Sequence, residues 1–371
     1  MNTAGTKALR LGVAVLLAAA STMAAAQAWK PEVRQTGVEV LAKLNYQPKQ
    51  VVVTPKGRVI FSLRAYAPEN FRLAEVQPDG NVVPYPNPEW STDTKPDGKG
   101  IHNPVGLTLS STGVLWIADK GSPKQLPQFV GWDTAANKLV GILQMKNRPK
   151  RDTPLIQNLV MDTQRKKIYA AGVEVGTSQQ TGLPILVVYD VETKSTRFIS
   201  LNKAQFQPSQ ELRNLARKST EVSAENIKPE LNVPITIDPA NEWVYFGFMG
   251  GRKFWRVKAD DLANEAIEPA DLILGVEYVG SKPISNSMAV DAKGRVYFSD
   301  EMNNGVGVYE PKGGYRLLAK DPILNAPTSI AIASDGYIYV TVARPQKSVT
   351  AEKALPGDAA SYVLARVKQL P

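Results

Sequence analysis

Six times between residues 50 and 342 the chain repeats one layout: a short alternating apolar run, a tight turn, and a second run with an aromatic residue beside an aliphatic one. The stretches are residues 50–63, 105–119, 157–172, 233–248, 286–300 and 328–342. Period-two alternation bounded by Gly, Asp, Asn and Pro is the pattern of antiparallel strands joined by tight turns. Lys56-Gly57, Thr112-Gly113, Lys293-Gly294 and Asp335-Gly336 place glycine where such a chain reverses with positive φ. Most hairpins are followed by a further strand pair, as in residues 129–143, 185–199 and 307–318. The turns fall near residues 57, 113, 165, 241, 294 and 336, and a four-strand unit repeating every 40 to 50 residues or so is what a β-propeller blade requires. The expectation is therefore an all-β chain folded as a six-bladed β-propeller. Two β-sandwich domains also supply regular strands, but they need not repeat a four-strand unit. The longest interval, between the third and fourth turns, holds a stretch that reads as a short helical insertion around residues 208–225.

Composition narrows the chemistry. With no Cys and one His in 371 residues, disulfide frameworks, thiolate metal sites, cysteine nucleophiles and multi-histidine metal sites are excluded. The net charge of +9 comes from 44 basic and 35 acidic residues scattered along the chain, and no basic run with interleaved aromatics marks a nucleic-acid surface. Lys7 and Arg10 precede a small apolar run, residues 11–20, and Ala26-Gln27-Ala28 supplies a small-x-small cleavage pattern. Residues 1–28 thus read as an export signal, leaving residues 29–371 as a single propeller domain with a charge of +7. No second apolar stretch of membrane length follows, so the expected product is secreted, periplasmic or extracellular.

In a propeller, the start of each inner strand and the end of its hairpin partner converge on one mouth of the central channel. At the strand starts stand Gln50, His102, Asn103, Gln157, Asn158, Asn232, Ser285, Asn286 and Thr328. At the strand ends stand Arg64, Asp119, Lys120, Glu174, Asp300, Glu301, Asn303 and Arg344. Such convergent polar groups suit a small-molecule site. His102, Asp119 and Asp300 are the candidates for proton transfer. Arg64, Asn103, Asn158, Glu174, Asn286, Glu301 and Arg344 are the candidates for holding a ligand. No cofactor is demanded, but hard oxygen atoms on Asn158, Asn286 and Asp300 offer an alternative reading in which Ca²⁺ or another divalent cation binds. Each of these residues has a bland counterpart reading as a turn former bonded to nearby backbone. Tyr66, Trp90 and Phe248 fall near the same mouth, where they would stack on an aromatic ligand or pack between blades. No Gly-x-Ser-x-Gly elbow or phosphate-binding glycine loop is present.

Several ordered runs carry a family resemblance: Leu44-Asn-Tyr-Gln-Pro48, Pro84-Tyr-Pro-Asn-Pro-Glu-Trp90, Gly113-Val-Leu-Trp-Ile-Ala-Asp-Lys-Gly121, Leu186-Val-Val-Tyr-Asp190, and Val296-Tyr-Phe-Ser-Asp300 followed by Asn303-Asn-Gly-Val-Gly-Val-Tyr309. In this order they resemble the major royal jelly protein and Yellow family, in the form of a bacterial member. The resemblance spans roughly residues 36–346 and implies a secreted six-bladed propeller. It further implies binding of aromatic amines at the channel mouth or dopachrome-type conversion. The cysteines of the insect proteins are missing here. A more distant likeness is to gluconolactonase and regucalcin propellers, whose mouth holds a divalent cation, although the early Glu of that pattern has no counterpart.

The leading expectation is thus a secreted propeller that binds a small aromatic or amine-bearing molecule, with dopachrome-type tautomerisation as the reaction if it is an enzyme. A metal-dependent lactone hydrolase and a non-catalytic protein-binding disc are the alternatives.

Overall fold

A computed structural model of the chain describes residues 32–63, 71–91, 100–121, 126–144, 155–175, 182–203, 206, 232–343 and 362–371. The export signal and the helical insertion expected around residues 208–225 lie outside the described residues.

The described strands form six antiparallel sheets arranged as a six-bladed propeller. Blade 1 comprises Pro48–Val53, Val59–Leu63, Leu73–Val76 and Val82–Pro84. Blade 2 comprises Pro104–Leu109, Val114–Asp119, Gln128–Asp133 and Lys138–Gln144. Blade 3 comprises Leu155–Asp162, Lys167–Val175, Gly182–Asp190 and Thr196–Ser200. Blade 4 comprises Ile235–Ile237, Trp243–Gly247, Lys253–Lys258 and Glu277–Ser281. Blade 5 comprises Met288–Val290, Val296–Asp300, Gly305–Glu310 and Gly314–Lys320.

Blade 6 takes strands from both ends of the described chain. Pro327–Ile332, Tyr337–Val342 and Tyr362–Lys368 are completed by Glu39–Leu44, with Glu32–Val33 added outside it. Glu39 lies opposite Arg366 and Leu44 opposite Tyr362. This pairing closes the ring and covers an edge that would otherwise be open.

Each inner hairpin turns on a residue with positive φ: Gly57, Gly113, Lys166, Asn241, Gly294 and Gly336. Five of the six also share a backbone bond across the turn, for example from Gly57 N–H to Thr54 O and from Gly294 N–H to Asp291 O. The repeat seen in the sequence is therefore a repeat of turn geometry. Blade 4 departs from it after its third strand, where the short helices Ala259–Ala263 and Pro269–Leu274 intervene. Pro269 opens the second of them, a position where its missing N–H costs nothing.

The core is divided among the blade seams. One apolar cluster fills each of the six interfaces, such as Ile60, Leu73, Leu115 and Val130 between blades 1 and 2, or Tyr245, Phe254, Met288 and Phe298 between blades 4 and 5. Second strands are buried on both faces because each packs against two neighbours; every residue of Val59–Leu63 and Val296–Asp300 is buried. Where aromatic rings cross a sheet, glycine makes room. A Cβ on Gly307 would lie 2.1 Å from Tyr315 Oη, and one on Gly280 would lie 2.4 Å from a Tyr309 ring carbon.

Candidate functional site at the channel mouth

The six inner strands line a central channel of about 250 Å³, among them Gln50, Thr108, Asn158, Thr236, Ser287 and Ser329. Each inner strand pairs on one side only, so its other edge presents backbone N–H and C=O groups to the channel. At the mouth, side chains from the neighbouring blade meet these edges. Gln50 Oε1 accepts from Leu107 N–H at 2.6 Å, and Gln50 Nε2 donates to Gln157 O at 3.0 Å. Asn158 Nδ2 donates to Val233 O at 3.2 Å, and Asn232 Nδ2 donates to Asn286 O at 3.3 Å. Ile330 N–H donates to Ser287 Oγ, and Val51 N–H donates to Ser329 Oγ, each at 3.2 Å. Between blades 2 and 3 the backbone itself closes in, since a Cβ on Gly106 would sit 2.5 Å from Leu159 Cδ2.

Two local features aim these side chains. A register shift interrupts the ladder between Pro48 and Val51, Pro104 and Gly106, Ile156 and Asn158, and Pro327 and Ser329. Such bulges bend a strand and redirect the residue beside them. Opposite the mouth positions, the second strands carry small residues, including Ala118, Ala171, Gly247, Ser299 and Thr341.

The amides also bond to one another in one direction. Gln50 Nε2 donates to Asn158 Oδ1 at 2.8 Å, Asn158 Nδ2 to Asn232 Oδ1 at 2.7 Å, and Asn232 Nδ2 to Asn286 Oδ1 at 3.1 Å. Asn286 Nδ2 then donates to Glu301 Oε2 at 3.3 Å. Four amide dipoles thus run head to tail with their donor ends toward a half-buried carboxylate. Aligned in this way they polarise one another.

The remaining candidates fall into separate groups. Asp119, buried at the end of its strand, accepts from the backbone N–H groups of His102, Asn103 and Gly121 and from Gln128 Nε2. Arg72 Nε donates to His102 O, so the main chain of residue 102 is held from both sides. The half-buried His102 imidazole makes no hydrogen bond to a described residue. Asp300, fully buried, accepts from the Asn303 backbone and side chain and from the Tyr315 hydroxyl. Burial, and then this bond to Asp300, push the Tyr315 hydroxyl far above its ordinary pKa. Ser285 Oγ meets Ser299 Oγ, while Thr328 and Thr341 both donate to Lys49 O across the seam between blades 6 and 1.

Phe248 is buried against Trp255, and Trp90 lies edge-on to Trp132, so both rings take part in blade packing. Arg64, Tyr66 and Arg344 lie outside the described residues, as does the side chain of Glu174, whose backbone pairs with Leu183.

The oxygens available for a cation do not converge. Asn232 stands between Asn158 and Asn286 in the amide chain, while Asp300 is engaged by Tyr315 and Asn303. Among the described residues no cluster of three His, Asp or Glu side chains could hold a metal ion. Ca²⁺ sites draw on several oxygens, commonly anionic. Here Glu301 is the single carboxylate on the amide chain, and the Oδ1 atoms of Asn158, Asn232 and Asn286 each already accept from the preceding amide, so the described residues as arranged do not fit such a cation.

A major royal jelly protein family model matches residues 105–370. The chain belongs to that family. Its match covers five of the six inner hairpins and the Asn158, Asn232, Asn286 and Glu301 part of the amide chain. No curated protein sequence matches this family member. Solved structures with a similar fold include a gluconolactonase from Xanthomonas campestris, at 9% identity and TM-score 0.52, covering 89% of each chain. A luciferin-regenerating enzyme is similar at 11% identity and TM-score 0.52, over 88% of this chain and 92% of that one. The aldose sugar dehydrogenase from Streptomyces coelicolor, solved with PQQ bound, is similar at 12% identity and TM-score 0.51, over 91% and 99%. At such identities these likenesses speak for the propeller alone.

Sequence position named Gln50, Asn158, Asn232 and Asn286, which meet at the mouth, but missed Gln128 and Tyr315, which donate to Asp119 and Asp300, and Ser287 and Ser329, which accept from the Ile330 and Val51 backbone. The small-residue column of the second strands was the available signal, since it marks where a neighbouring polar side chain can cross.

Proposed function

We propose that this royal jelly family propeller is an exported protein that binds a small amine-bearing or aromatic molecule at the channel mouth, with Glu301 as its anionic anchor. The alignment of four amide donors toward Glu301 is the observation that carries this reading. A carboxylate at the donor end of an amide chain suits an ammonium group, and the polar amides around it suit neighbouring hydroxyls. Asp119 and Asp300 would act indirectly, since both are fully buried and each accepts from several protein donors. If the ligand is a dopachrome-like ring, its tautomerisation needs only a proton moved between carbon and oxygen, and Glu301 and His102 are the candidates for that transfer.

Thermal shift followed by calorimetry with catechols, indoles, aliphatic amines and lactones tests the reading. Amines are expected to stabilise the protein, and Glu301→Gln to weaken the best of them by roughly tenfold or more while leaving the unliganded melting temperature nearly unchanged. Equal affinity in Glu301→Gln, or stabilisation by lactones alone, would sink it. Asp119→Asn serves as the contrast: it disturbs the cap on residues 102, 103 and 121 and is expected to lower stability.

A further inference from the structure

Residues 282–287 form a strap from the outer strand of blade 4 to the inner strand of blade 5, and they carry Asn286 of the amide chain. The strap begins with a buried amine. Lys282 is 3% exposed, its Nζ donates to Pro283 O at 2.9 Å and Met249 O at 3.4 Å, and no carboxylate among the described residues pairs with it. Its stem runs over Gly247, where a Cβ would come within 3.0 Å of Lys282 Cε. The backbone is tied to the same turn of blade 4, with Lys282 N–H on Arg252 O and Ser285 N–H on Met249 O.

We propose that Lys282 is a proton-sensitive latch that holds the strap, and with it Asn286, against blade 4. A neutral amine satisfies the two carbonyls and tolerates burial, whereas an ammonium in the same place lacks a counter-charge. The charged groups on the surrounding elements do not supply one. The 248–252 turn contributes Arg252, a like charge. On the adjoining strand, Lys253 lies over the Tyr278 ring. The strap beyond Lys282 carries no titratable side chain. On blade 5, Asp300 bonds Asn303 and Tyr315, while Glu301 accepts from Asn286.

Burial, and then Arg252, bring the Lys282 pKa from its ordinary 10.5 down to about 7. The open strap, with the amine in water, regains the ordinary value. The open state therefore binds the proton more tightly, so opening becomes easier as pH falls from about 10.5 to about 7 and levels off below that. Within that window the opening constant changes by about tenfold per pH unit.

The latch is independent of any ligand, so its test needs only the full-length protein. Carbon-13 NMR of lysine ε-carbons should show Lys282 titrating near neutrality while the exposed lysines titrate near 10.5. Amide hydrogen exchange over residues 282–287, corrected for intrinsic chemistry, should show opening fall with pH between 7 and 9 in the wild type and stay flat in Lys282→Met. A Lys282 titration alongside the surface lysines overturns the proposal, as does an unchanged pH dependence in Lys282→Met. Should that variant fail to fold, the wild-type titration decides alone.

Discussion

On the face opposite the mouth, three arginines leave the inner hairpin turns of blades 1, 3 and 5 and clamp blades 2, 4 and 6; at the mouth, uncharged amides and hydroxyls cross the seams. Arg58 donates to Thr134 O at 2.7 Å while held on both sides by Glu75. Arg165 donates to Asn241 O at 2.7 Å and also engages Asp162 and Asp260. Arg295 donates to Leu370 O and Pro371 O at 2.9 Å each and is anchored by Asp291. Two of the three reach carbonyls beyond the third strand of the next blade, and Arg165 reaches the Asp260 carboxylate at the equivalent place. Both faces thus solve the same problem, satisfying backbone at a blade seam. The charged solution fixes geometry with arginines held by carboxylates, bidentately in the Arg58–Glu75 pair. The neutral one ends, along the amide chain, on a carboxylate, Glu301.

Removing a charged anchor should therefore do more damage than removing an amide. Asp291 and Arg295 are both largely buried, and Asp291 also accepts from Tyr297, Gln369 and two backbone N–H groups. Asp291→Ala is expected to destabilise by about 3–5 kcal/mol, because it takes the shared acceptor from Arg295, Tyr297, Gln369 and two backbone N–H groups. Urea melts would measure this, and a loss no greater than that of an exposed Asp would erase the contrast between the faces. The mouth has its own sensitive point in Gly106, where Gly106→Ala meets Leu159 and should cost about 1–3 kcal/mol through overpacking. Asn232→Ala removes the middle of the amide chain at a half-exposed position and should cost about 1 kcal/mol, with little dependence on salt. A steep salt dependence would show that charge governs this face too.

Acid offers the gentlest way to separate the faces. Burial works against ionised Asp291, but hydrogen bonds from Arg295 and from backbone amides outweigh it and hold the pKa below the ordinary 3.8. A depressed carboxylate stabilises the fold above its unfolded value, and this contribution is lost as pH falls from about 3.8 toward the folded value. The amides do not titrate. Hydrogen exchange at pH 3 and below should therefore loosen the 291–295 turn before the seam between Asn158 and Asn232, and the reverse order would contradict the division.

Much of this architecture was readable along the chain because it is local. The turn glycines, the alternating inner strands and the closeness of His102 and Asn103 to Asp119 all follow from spacing within one hairpin. Pairings between blades were not readable. Asn158 and Asn232 are 74 positions apart, and whether their amides meet depends on strand bulges and on small residues at Ala171 and Gly247. The Asp300 partner Tyr315 was hidden for a related reason: its ring reaches across the sheet only because Gly307 leaves room. Nothing in the residues next to Lys282 marks its burial, which comes from the packed blades around it.

By itself, then, the sequence determined six blades, their turns and the strand ends where polar residues such as Gln50, Asn158, Asn232 and Asn286 stand, since hydrophobic period and turn chemistry act over a few residues. Tertiary structure decided which of those residues are bonded to one another, which carboxylate ends the amide chain and which amine is deprived of water. Those outcomes depend on distances between distant segments, burial and the direction of dipoles, and these exist only once the ring has closed.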